Sequence, residues 1–392
     1  MNLIVEKEDF FKKLLRVQYV HEKKTTLDIT TCVLLTASGK EIEMVATDLE
    51  TNFRDYCQAE ILEEGSTAVN SKRLMEIVRG LTSETISLKT LRDENCLLIE
   101  GGRSVFRLPL RAPEDFPHTP FFDEEELIQL DAPVFKKMLD KVLFSVPTRK
   151  AQANIAGLIM KENVLNDEEN NGNSRKTLEV FSVDIHRMVR IERNFDYNGT
   201  LNLFEGIVLP KRGAQELSNI LEGAEVFQIG ALENFLAIKQ SSTSLTIRLL
   251  NYQIPRIDVK MLTSAPYSFQ TERDKLLEIL KRISVMTSED YRHVMVKILE
   301  SQIRFSINNP GIGTAEEDLE TNYDGPEMNF VFNVRFLIEA VSNIESQVIN
   351  IGVIREKAPF IFTGEDDEGY ISVLMPLILI GEDEEDTGKD EL

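Results

Sequence analysis

The sequence predicts an α+β protein made of three copies of one unit, each with two helices and several antiparallel strands. Three observations carry this. An apolar stripe at offsets 0, 3 and 4 occurs three times, as Phe11/Leu14/Leu15, Phe135/Met138/Leu139 and Leu276/Ile279/Leu280. A second helical stripe follows each: Leu74/Ile77/Val78, Leu217/Leu221 and Leu337/Ala340/Val341. Between the helices lie short β-rich runs such as CVLLTA, CLLIEG, LTIRLLN and ISVLMPL, bounded by turn residues. A 3.6-residue stripe is one face of an amphipathic helix, and short alternating runs between turns are antiparallel strands.

The elements follow in order. The N-terminus, MNLIVEKEDFFKK, reads as a strand running into the first helix; it has no apolar core of a signal peptide. Asp9, Asp131 and Thr271 stand where caps of the first-type helices belong. The stripes of the second and third copies continue to Val142 and Ile283. Gly213 and Ser218 weaken the second helix of the middle copy. That copy is also the longest, because residues 162–177 form a polar, Asn- and Glu-rich insertion that reads as a hairpin loop. The expected domains are residues 1–124, 125–264 and 265–380, with 381–392 an acidic, disordered tail carrying seven acids and one lysine. The closing Lys389-Asp390-Glu391-Leu392 matches a retention address, which needs a secretory signal to act.

Composition excludes several classes. No apolar run approaches the ~20 residues that span a bilayer, so no membrane role is expected. Three cysteines, Cys32, Cys57 and Cys96, are too few and too scattered for a metal or disulfide framework, which fits a cytoplasmic protein. His21, His118, His186 and His293 sit in no metal spacing. Gly311-Ile312-Gly313 lacks the third glycine of a dinucleotide fingerprint, and the acids that follow it read as a solvated loop. No catalytic residue, metal or cofactor is expected.

The net charge of −22 argues against nucleic acid if taken alone. The placement of the cations argues differently. Lys12, Lys13 and Arg16 lie on the first helix of copy one, Lys136, Lys137 and Lys141 on that of copy two, and Lys275, Lys281 and Arg282 on that of copy three. The second-type helices open with Lys72-Arg73, Lys211-Arg212 and Arg335. A cation in a first helical turn opposes the macrodipole, and a bound phosphate reverses that cost. A solvated polar face explains any one of these helices. Recurrence in three units points to a shared phosphate-facing surface, to which Lys24 and Arg149 are added.

The order of motifs around the repeat resembles the bacterial DNA polymerase III β clamps across nearly the whole chain. The matching residues are Ala46-Thr47-Asp48-Leu49-Glu50, Arg107-Leu108-Pro109 with Asp115-Phe116-Pro117, Asp184-Ile185-His186-Arg187-Met188, Asn309-Pro310 with Ala315-Glu316-Glu317, and Leu374-Met375-Pro376-Leu377. The resemblance implies three sliding-clamp domains per chain and two chains closing a ring around duplex DNA. It implies a non-catalytic processivity subunit that holds DNA topologically, without sequence preference. It also implies an apolar pocket for short linear peptides of the replicative polymerase α subunit, the clamp loader, other polymerases and repair proteins. By position that pocket holds Ile155, Val183, His186, Arg187, Met188, Pro255, Val259, Val373, Leu374, Met375, Pro376 and Leu377. Ile185 and Ile378 depart from the family's usual glycine and arginine, so the preferred peptide is expected to differ. The homodimer interface implied by position sets Arg73 and Phe106 of one chain against Val285, Met286, Glu316 and Glu317 of the other.

Overall fold

The computed structural model describes residues 1–20, 28–122, 127–147, 156–166, 174–254 and 265–377. Among them are six α-helices: α1 (Lys7–Val20), α2 (Ser71–Gly80), α3 (Ala132–Leu143), α4 (Lys211–Ile220), α5 (Arg273–Ser284) and α6 (Val334–Ser342). Each follows on a strand, directly except for Pro210 before α4: Asn2–Glu6, Gly65–Asn70, Ile128–Asp131, Ile207–Leu209, Tyr267–Glu272 and Met328–Asn333. The change of period from two to 3.6 thus falls six times at the same kind of junction. The stripes of α3 and α5 are buried as expected, from Phe135 to Val142 and from Leu276 to Ile283.

The stripe of α1 is different. Its buried face is Phe10, Leu14 and Val17, while Phe11 is half-buried and Leu15 exposed. The helix also starts before Asp9, because the Glu6 carboxylate accepts the amides of Glu8 and Asp9 at 3.1 and 2.7 Å. Asp131 caps α3 through the Val134 amide at 2.8 Å. Glu272, not Thr271, is the cap residue of α5, and it makes no side-chain cap bond. Asn70 and Asn333 cap α2 and α6 by accepting the amides of Arg73 and Arg335, each at 3.0 Å.

The chain divides into two compact units: Met1–Leu139 with Phe195–Asn251, and Asp140–Asn194 with Tyr252–Leu392. The division passes through the middle copy, whereas the boundaries expected near 125 and 264 lie outside the described residues. Sheet continuity explains the division. In the first unit, strands Asn2–Glu6, Thr85–Leu91, Cys96–Gly101, Ser104–Arg111, Gly65–Asn70, Cys32–Ser38, Glu41–Thr47 and Thr51–Glu63 are neighbours in that order. The last pairs back onto the first, with Leu3 opposite Ile61. Thr51–Glu63 is long enough to take a third partner, Thr243–Arg248, with Phe53 opposite Leu245. The sheet then continues through Phe235–Gln240 and Val226–Leu232 to Ile128–Asp131.

In the second unit, Leu158–Asn166, Ser174–Val183, Arg187–Asn194, Tyr370–Leu374, Phe360–Gly364, Val348–Val353 and Tyr267–Glu272 are neighbours in that order. A separate four-stranded sheet runs Gly313–Glu320, Gln302–Asn309, His293–Leu299, Met328–Asn333. The strand pairings in both units are antiparallel. No helix of the described residues is long and apolar enough to cross a membrane.

Candidate functional site

One candidate site is built on the turn Asp184–Arg187. The Asp184 carboxylate accepts the amides of His186 and Arg187, both at 2.8 Å, so the side chain stands in for a backbone turn. This leaves Ile185 at the tip, 64% exposed. The strand after the turn pairs with Tyr370–Leu374, placing Met188 opposite Val373 and Arg187 opposite Leu374. The Met375 amide then donates to the His186 carbonyl and the Leu377 amide to the Val331 carbonyl, both at 2.7 Å. Met375-Pro376-Leu377 is therefore pinned at both ends. Met188 and Val373 are buried with Ile361 and Ile371, and Val183 packs against them. Leu374 is buried as well. His186 and Met375 are exposed, and Val183, Pro376 and Leu377 are half-buried. The result is an apolar floor with a flexible Met and a few polar groups at its rim, a combination suited to varied peptide side chains. Ile155, Pro255 and Val259 lie outside the described residues.

Arg187 is fixed from several sides. Its Nε lies 3.2 Å from Asp184 Oδ2, and its Nη1 donates to Glu339 Oε2 on α6. The guanidinium also sits 4.4 Å from the Phe336 ring centroid and 5.7 Å from that of Phe144.

The cations expected at phosphate separate into two groups. Lys12, Lys72, Arg73, Lys137, Lys275, Lys281 and Arg335 are exposed. Lys141 corrects the expectation. It is buried, its Nζ bonded to Asp367 and to the Asn343 carbonyl and 5.0 Å from the Tyr370 ring centroid. A charge so enclosed belongs to the internal bracing of the second unit. Lys13 is a second correction. Its Nζ lies 3.0 Å from Asp55, whose side chain is fully buried, and 3.1 Å from Ser242 Oγ. Arg16, partly exposed, donates to Thr243 Oγ1 at 2.9 Å beside the same Asp55. Lys136 pairs with Glu222 at 3.1 Å, and Arg212 lies 3.5 Å from Asp48 and donates to the Val20 carbonyl. Lys211, like Arg212, is half-buried. Arg282, though exposed, forms a two-pronged pair with Glu317. Lys24 and Arg149 lie outside the described residues.

The comparisons with known proteins agree with this architecture. Residues 1–120 match the N-terminal domain of the DNA polymerase III beta subunit, and residues 266–378 match its C-terminal domain. Together these take in more than half of the chain. The chain belongs to the DNA polymerase III beta-subunit family, the bacterial sliding clamps. A beta sliding clamp of Caulobacter vibrioides is 26% identical over 386 residues, 96% of this chain and 100% of the relative. The solved structure of Caulobacter crescentus pol III beta is 25% identical, with a TM-score of 0.87 over 97% of this chain and 100% of that one. The sliding clamp of Bartonella birtlesii, solved bound to griselimycin, is 23% identical with the same TM-score and coverage. The clamp is thus a non-catalytic processivity subunit that works in DNA replication, with DNA and polymerase as its partners.

Two strand edges of the clamp complete the picture. Ser104–Arg111 pairs along one side with Cys96–Gly101, and on the other only Leu110 and Arg111 find partners among the described residues. Gly313–Glu320 lies at the end of its sheet. Phe106 and Val105 are exposed on or beside the first edge, and Val285 is 72% exposed near the second, with Met286 half-buried next to it. The sequence reading missed Glu339, Phe336 and Phe144 around Arg187. The stripe of α6 drew attention to Leu337, Ala340 and Val341, and nothing in the spacing pairs Glu339 with a residue 152 positions away.

Proposed function

We propose that two copies of this clamp close a head-to-tail ring by joining those two open edges, with three domains per chain at 1–124, 125–264 and 265–380. The observation that carries this is their complementarity. One edge is flanked by Arg103, Arg107 and Arg111; the other carries Glu316, Glu317, Asp318 and Glu320. Arg107 now pairs with Glu94, Arg111 with Asp28, Arg282 with Glu317 and Arg304 with Glu316 and Asp318. Such exposed pairs each contribute at most ~1 kcal/mol and can exchange partners. An unpaired edge with exposed apolar residues is a template for strand addition, and an interface of this kind closes as a ring. Phe106 and Arg73 then meet Val285, Met286, Glu316 and Glu317. Sedimentation at micromolar concentration should give twice the chain mass; a monomer there contradicts the ring.

The exposed cations of α1, α2, α3, α5 and α6 face duplex DNA inside the ring, in weak contacts without sequence preference. The pocket around Met188 and Val373 takes short linear peptides from the replicative polymerase α subunit, the clamp loader, other polymerases and repair proteins, in the cytoplasm. Replacing Met188 by Asp should abolish binding of a short peptide from the polymerase α subunit while the dimer persists; undiminished binding excludes this pocket.

A further inference from the structure

We propose that Glu339 is a shared counter-ion coupling the candidate peptide pocket to the DNA-facing end of α6, an inference that rests on the functional reading above. Four charges of alternating sign run in a line: Asp184, Arg187, Glu339, Arg335. Asp184 and Arg187 lie in the turn at the pocket. Glu339 takes Arg187 on Oε2 and, at 3.0 Å, Arg335 Nε on Oε1. Arg335 is in the first turn of α6, and its side chain is 69% exposed, against 12% for Arg187 and 24% for Glu339. Phe336, next to Arg335 in α6, is in contact with both Arg187 and His186 of the turn at the pocket.

One partly buried carboxylate therefore divides its charge between a pocket cation and an exposed one. Water screens the Arg187 side poorly, so withdrawing either cation strengthens the hold on the other. A ligand carboxylate that draws Arg187 away leaves Glu339 to hold Arg335 alone, and Arg335 is then less available to phosphate. A phosphate that takes Arg335 frees Glu339 to hold Arg187. The two effects must be equal, because binding linkage is reciprocal. The sign is negative: a clamp occupied by an acidic partner grips duplex less tightly at this helix.

The test uses the full chain and a fluorescent 20-base-pair duplex, with affinity followed by anisotropy across a salt series. R335Q should weaken binding and lower the salt slope by about one. R187Q should do the same in lesser degree, by roughly twofold in affinity as expected for an exposed pair, although Arg187 itself faces the pocket. E339Q should move affinity roughly twofold the other way. The double variant R187Q/E339Q should match E339Q, and R187K should restore wild-type behaviour. A merely structural role would move R187Q and E339Q in the same direction, and that result overturns the coupling. If R335Q weakens binding while R187Q and E339Q equal wild type, the coupling fails and the DNA-facing reading stands. If R335Q changes nothing, both fall.

Discussion

Glu216 offers a sharp test of the packing, because it is a buried acid on α4, the helix that opens with Lys211 and Arg212. Its side chain lies in α4, 7% exposed, with Asn219 Nδ2 at 3.4 Å. Burial lifts its carboxyl from the ordinary 4.5 to about 7; the Asn219 hydrogen bond and nearby Arg212 pull the other way, and Asp48 adds to the rise. A carboxyl raised in this way prefers its neutral form in the fold. Its contribution is complete below the ordinary value of 4.5 and is lost as pH rises through about 7. At ~1.36 kcal/mol per pKa unit, the cost of carrying the charge at pH 8 is about 3 kcal/mol. Glu216→Gln removes the charge and keeps the shape. It should be more stable than wild type by up to about 3 kcal/mol at pH 8 and equal to it near pH 4. Denaturant midpoints at several pH values read this, compared transition by transition because two compact units need not unfold together. A Gln variant less stable than wild type at pH 8 would mean that the carboxylate is ionised and held by Arg212, and the reasoning fails.

Asp367 should behave in the opposite sense. It accepts Lys141, the amides of Glu345 and Ser346, and the Ser346 hydroxyl. Burial opposes its charge, but the Lys141 and Ser346 bonds outweigh it and hold the carboxyl below its ordinary range. Asp367→Asn leaves the buried Lys141 ammonium with only the half-exposed Glu345 carboxylate at 3.2 Å and the Asn343 carbonyl, and should lose up to about 3–5 kcal/mol at neutral pH by chemical denaturation. The difference should vanish as pH falls through the depressed value; a loss under about 1 kcal/mol would show that the pair is not the brace described. Gly213→Ala should destabilise despite the better helix former, because a Cβ there would meet Ile247 Cγ2 at 2.4 Å. Overpacking of about 1–3 kcal/mol exceeds the ~1 kcal/mol of propensity gained, and a raised melting temperature would contradict this. Phe106→Asp and Val285→Asp should each shift sedimentation towards monomer while leaving circular dichroism unchanged; a persistent dimer in both places the interface elsewhere.

Much of the fold was legible because it rests on local periodicity. The stripes of α3 and α5 were read at the right residues. In α1, Leu14 was read correctly, but Phe11 and Leu15 lie off the buried face because Phe10 and Phe11 are both apolar, and the cap that fixes the helix start, Glu6, belongs to the preceding strand. The cations were less legible. A lysine on a helix looks the same in sequence whether it meets phosphate or a buried acid. Lys13 finds its partners 42 and 229 residues away, and Lys141 finds Asp367 226 away. Gly213 looked like a defect in α4 and is a close contact instead. The sheet path that splits the middle copy between two units depends on strand pairings far apart in sequence, such as Phe53 with Leu245 and Met188 with Val373. Alternation shows that strands exist and leaves their neighbours open.

A closed ring would hold DNA by enclosing it. The direct measurement loads the clamp on nicked circular plasmid with a clamp loader, isolates the complex at a salt concentration that dissolves phosphate contacts, and then cuts the circle once. The clamp should stay with the circle and leave within minutes of linearisation. Loss from the intact circle at that salt, or retention on the linear product, would rule out enclosure.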